Sequence, residues 1–62
     1  MDKERKFATA NYNMAFDNGS FKKDHRYQYQ KSQKSKNNIE VITEEGKIQS
    51  FYFSEFDMLF SI

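Results

Sequence analysis

From residue 8 to residue 16 apolar side chains take every second position. Ala8, Ala10, Tyr12, Met14 and Phe16 fall on one side, and Thr9, Asn11 and Asn13 on the other. Period-two spacing predicts a half-buried strand over 8–16, and two Asn and a Thr speak against a helix. Asp17, Asn18, Gly19 and Ser20 then read as a turn, with Gly19 free to take a positive φ. The alternation returns over 26–31, where Tyr27 and Tyr29 interleave with Gln28 and Gln30, and predicts a second strand. Residues 31–38 hold no apolar side chain and predict an exposed loop. The β-branched run 39–43 predicts a third strand. Glu44, Glu45, Gly46 and Lys47 close it as a hairpin, and 48–53 returns as the partner strand, with Phe51 and Phe53 on one face and Tyr52 on the other. Ser54 is the expected N-cap of a final helix, with Asp57 at the capping-box position and Glu55 also at the positive end of the helix dipole. Phe56 and Phe60, four apart, are expected on one helical face pressed against the sheet.

That pattern predicts a mainly β fold: a small SH3-like barrel or strongly curved antiparallel sheet of four to five strands, closed by a short C-terminal helical turn. Sixty-two residues make one domain, spanning 1–62, with the charged stretch 1–5 expected to fray. Core candidates crowd into the last 24 residues: Ile39, Val41, Ile42, Ile48, Phe51, Phe53, Phe56, Leu59 and Phe60. Without cysteine there is no disulfide and no thiolate metal site, and His25 alone does not hold a structural zinc. Stability is therefore expected from aromatic packing, which the seven Phe and four Tyr can supply, from a partner subunit, or from both. No cofactor is expected.

Charge divides the chain. The first 38 residues carry nine Lys or Arg against four acids, while Glu40, Glu44, Glu45, Glu55 and Asp57 face only Lys47 in the remainder. No apolar run reaches the ~20 residues of a membrane span, and no apolar segment follows the charged start as a signal peptide requires. A cytoplasmic setting without membrane attachment is expected, and Asn18, Gly19 and Ser20 read as a turn rather than a glycosylation acceptor.

Three kinds of chemistry were weighed. Catalysis would need His25 or a carboxylate pair in a protected pocket; His25 lies in a charged turn without a nucleophile nearby, so an enzyme is not expected. Nucleic-acid binding would use Lys22, Lys23, Arg26, Lys31 and Lys34 on phosphates, with Tyr27 or Tyr29 stacking a base. Protein binding would use the C-terminal run, where Phe56, Met58, Leu59 and Phe60 crowd five residues and a short helix can bury only one stripe. Tyr52, Glu55, Phe56, Asp57, Met58 and Phe60 are the candidate partner contacts, an apolar patch with an acidic rim that would also suit a homodimer face.

The order of a basic aromatic strand, a polar loop, the 39–53 hairpin and the Ser54, Glu55, Phe56 turn resembles small SH3-like barrel proteins of bacteriophages of low-GC bacteria, over about the last 40 residues. Gly46 and Lys47, followed by Ser54, Glu55, Phe56, Asp57, Met58, Leu59 and Phe60, are similar to a family of phage inhibitors of uracil-DNA glycosylase. That second resemblance implies that Phe56, Asp57 and Phe60 contact the enzyme in a dimer-built pocket for a protruding apolar side chain. The chain departs from that family in a shorter hairpin-to-helix spacing and a near-neutral charge. Together these readings predict a non-enzymatic phage or mobile-element protein that binds and inhibits or redirects a host protein, such as a nucleic-acid-processing or defence enzyme, in the host cytoplasm. The alternative is a small nucleic-acid-binding module built on the basic strand and loop 22–36.

Overall fold

The computed structural model describes residues 5–62, so the expected fraying of 1–5 lies, but for Arg5, outside the described residues. The chain runs through β1 (Lys6–Ala10), β2 (Met14–Phe16), β3 (Gly19–Phe21), β4 (Arg26–Lys31), β5 (Asn38–Ile42), β6 (Ile48–Tyr52), α1 (Phe53–Leu59) and β7 (Phe60–Ser61). Five strands form one antiparallel sheet in the order β6-β5-β4-β1-β7, and β2 and β3 pair apart as a hairpin. The sheet curls into a half-barrel. Helix α1 leaves β6 at one edge and delivers the chain directly to β7 at the other. The mainly β expectation, a strongly curved sheet of four to five strands with a short C-terminal helix, is met.

Alternation sets what each strand buries. Ala8 and Ala10, Tyr27 and Tyr29, Ile39 and Val41, Phe51, and Phe60 turn to the inner face. The two alanines sit opposite Tyr27 and Phe60 in the register, so small residues make room for large ones. Two phenylalanines from outside the main sheet fill the concave side. Phe56 comes from α1 and stacks on Phe60, with centroids 5.2 Å apart. Phe21 comes from the β2–β3 hairpin and meets Phe16, Tyr27, Phe51 and Phe60 at 4.9–6.0 Å, with Phe16, Tyr27 and Phe60 edge-on.

Three expectations are corrected. The 8–16 segment is not one strand but breaks after Ala10. Asn11 and Asn13, poor ladder residues, use their side chains on other segments: Asn11 Nδ2 donates to the Met58 carbonyl, Asn11 Oδ1 accepts from Ser61 Oγ, and Asn13 Oδ1 accepts from the Lys23 N–H. Tyr12 is left exposed, and the chain swings out to form the hairpin. Ile42 and Ile48, paired across β5 and β6, lie on the outer face, because the alternation that buries Val41 must turn them outward. Phe53 leaves the face of Phe51 because it starts the helix; it is 62% exposed.

The two glycines differ. Gly19 follows the two-residue Asp17–Asn18 loop at φ 144°, and a Cβ there would lie 2.6 Å from Thr43 Cβ. Gly46, at φ 85°, has open space around it. Gly19→Ala is therefore expected to lose clearly more than about 1 kcal/mol, and more than Gly46→Ala, in urea unfolding. Phe21→Ala is expected to cost about 3–5 kcal/mol by the same measurement, enough to unfold most of a domain this small.

Candidate partner-binding site

Where β6 becomes α1, the backbone stays extended at Tyr52 (φ −66°, ψ 151°), and its N–H donates to Glu55 Oε1 at 3.1 Å. Glu55, not Asp57, is thus the acid that reaches back to the helix start, and the cap position is Tyr52 rather than Ser54. The helix begins two residues earlier than expected, which shifts every later position by two. The Phe53 N–H donates to the Asn37 carbonyl at 2.9 Å, pinning the end of loop 32–37 beside the helix start. At the other end, Asn11 supplies its backbone N–H to the Leu59 carbonyl and its side chain to Met58, two carbonyls the helix itself cannot satisfy.

Of the six expected contact residues, two are withdrawn from the surface. Phe56 is 2% and Phe60 3% exposed, and Phe60 belongs to β7, paired with Ala10. Both serve as core. The structure leaves Tyr52, Glu55, Asp57 and Met58 outside and adds Phe53, which the sequence reading had placed in the sheet. Tyr52, Phe53 and Met58 are 62–64% exposed within seven residues of chain. Tyr52, Phe53, Ser54, Asp57 and Asn37 line one open hollow. The signal that could have found Phe53 is Glu55, three residues after Tyr52, which marks the earlier helix start.

The basic face is reorganised. Tyr27 is buried, and its hydroxyl accepts from the Lys22 N–H at 2.7 Å and donates to Glu44 Oε2 at 2.6 Å. Tyr29 is half-buried against Phe56, with ring centroids 4.9 Å apart. Tyr27 is thereby withdrawn from the surface, and Tyr29 is partly so. Arg26 lies over the Phe7 ring at 5.1 Å. Lys22 and Lys23 sit before β4, while Lys31 and Lys34 lie at and beyond its far end, a separation of about 17 Å along the strand.

The acidic hairpin tip is also occupied internally. Glu44 Oε2 receives the Tyr27 hydroxyl and lies 3.1 Å from His25 Nδ1, while the Glu45 carboxylate accepts from the Ser20 N–H and hydroxyl, both at 2.8 Å. Buried Thr43 completes the junction, donating to the Asn18 carbonyl and accepting from the Lys47 N–H. These bonds tie the tip of the β5–β6 hairpin to β3 and to the turn before β4. Among the described residues no group of three His, Cys, Asp or Glu side chains could hold a metal ion, and no helix is long and apolar enough to cross a membrane. No family model matches this chain, nor does any curated protein or solved structure.

The Tyr27 hydroxyl holds the Glu44 carboxyl below its usual range, with His25 adding to the effect, and the Ser20 N–H and hydroxyl do the same for Glu45. Carboxyls lowered in the folded state give stability that is present above their unfolded value and lost as pH falls through the folded one. Tyr27 is shifted the other way, raised from 10.0 by burial and then by Glu44, so its contribution is full below pH 10 and lost as pH climbs through the raised value. Urea midpoints measured from pH 7 down to pH 3 are expected to fall less steeply for the Glu44→Gln, Glu45→Gln double variant than for the parent chain. Above pH 10, Tyr27→Phe is expected to flatten the alkaline loss.

Proposed function

We propose that this chain is a non-enzymatic interaction module that binds a protein partner through the surface at the β6–α1 junction. The observation that carries the reading is the exposure of Tyr52, Phe53 and Met58, each more than 60% exposed within seven residues of chain, in a fold whose other large aromatics mostly pack inward. Such residues are costly to leave in water and are the types enriched at interface cores, while Glu55 and Asp57 supply the polar rim. The inhibitory role toward a host protein that the phage resemblance implies is a specific form of this proposal. Nucleic-acid binding is the weaker reading, because Tyr27 is buried, Tyr29 is half-buried against Phe56, and the lysines lie at opposite ends of β4.

Affinity capture from a low-GC bacterial lysate, with and without nuclease, compares the parent chain with a Phe53→Asp, Met58→Asp variant. One stoichiometric protein is expected to survive nuclease with the parent chain and to be lost with the variant, at unchanged far-UV circular dichroism. Equal retention by both chains removes the C-terminal surface. Retention that vanishes with nuclease transfers the function to the basic residues.

A further inference from the structure

Resting on that reading, we propose that the hollow between β6 and α1 receives a cationic side chain of the partner, an arginine guanidinium. Three features of the hollow converge on this chemistry. Its walls are Tyr52 and Phe53, two aromatic side chains more than half exposed and not packed against another ring among the described residues. Its charged group is the Asp57 carboxylate, four residues after Phe53 on the same side of α1. Its polar floor includes Asn37, whose carbonyl is held by the Phe53 N–H at 2.9 Å, so the lining is positioned by backbone rather than by a loose loop.

The two acids of α1 have different employment. Glu55 accepts from the Tyr52 N–H and so answers the positive end of the helix itself. Asp57 has no hydrogen-bond or ion-pair partner among the described residues, and it lines the hollow. Aromatic faces attract a cation through their quadrupole, and a planar guanidinium can stack on a ring while its N–H fork meets a carboxylate. An apolar anchor would leave Asp57 unanswered, and an anion would meet it directly. Lys36, next to Asn37 in sequence, opposes a cation at longer range; an exposed charge of that kind is screened over about 8 Å at physiological salt, whereas Asp57 lines the hollow itself.

The test is a nitrogen-15 and aromatic carbon-13 NMR titration with two N-acetylated, C-amidated tripeptides, one with arginine between two glycines and one with norleucine there. The arginine peptide is expected to shift Asn37, Tyr52, Phe53 and Asp57 and to saturate with Kd on the order of 10–100 mM, as two exposed cation–π contacts and one surface ion pair allow. Asp57→Asn and Tyr52→Ala, both surface changes whose remaining spectrum should stay in place, are each expected to weaken it about fivefold. Equal saturation of the same residues by the norleucine peptide would overturn the cationic assignment while leaving the partner surface standing. Arginine shifts centred on Glu40, Glu44 or Glu45, or no saturable shift at all, would overturn it too, and the capture experiment then judges the partner surface on its own.

Discussion

Phe21 sits where two otherwise separate pieces of sheet must become one object. Curling a five-stranded sheet leaves a concave side lined by Tyr27, Phe51 and Phe60 that its own strands do not fill, because β6 and β7 do not pair. The β2–β3 hairpin, too short to hold itself together, lays Phe21 into that space and contacts those three rings and Phe16. Edge-on rings at 5–6 Å use the full area of each side chain and favour one arrangement over many. In a chain with no disulfide, this cluster supplies what a cross-link would supply elsewhere. The Gly19 turn follows from the same demand. Phe21 can reach the sheet only if the hairpin passes so close to Thr43 that no side chain fits at position 19.

Electrostatics reinforces that closure instead of opposing it. The basic first half and the acidic second half suggest two surfaces facing two partners, yet two of the acids are engaged in hydrogen bonds within the molecule. Glu44 and Glu45 sit at the tip of the β5–β6 hairpin and accept hydrogen bonds from Tyr27 and Ser20, with His25 alongside. Their lowered pKa values and the raised one of Tyr27 describe one junction from its two sides.

The fold was largely readable from periodicity. The alternation at Tyr27 and Tyr29, the β-branched 39–43 run and the Gly46 hairpin each describe a local preference that the tertiary structure respects. The failures have a common cause. Strand alternation does not extend across positions where polar side chains capture a backbone group: Asn11 and Asn13 bind other segments beyond the end of β1, and Glu55 caps α1 two residues before the expected start. Those partners lie 10 to 47 residues away for the asparagines, so no local window contains them. The error at Glu55 is local and was readable, and it decides the site, because it turns Phe53 from a core residue into a wall of the hollow. The inward turn of the β4 tyrosines is a different matter: the face of a strand follows from pattern, but which face is inside follows only from what packs on it.

A seven-residue helix with one buried side chain leaves little freedom about the remainder. Phe56 is the inward position of α1, and Leu59 is half-buried at its end. The other five positions of α1 must face water whatever their chemistry. A chain selected for folding alone would place polar residues at all of them, as it does at Ser54 and Glu55. Phe53 and Met58 are the exceptions, and Tyr52 repeats the exception on the adjoining strand. Burying any of the three would require another turn of helix or another strand. The exposure of these three side chains therefore follows from the shortness of the helix, and it is on this exposure that the proposed partner surface rests.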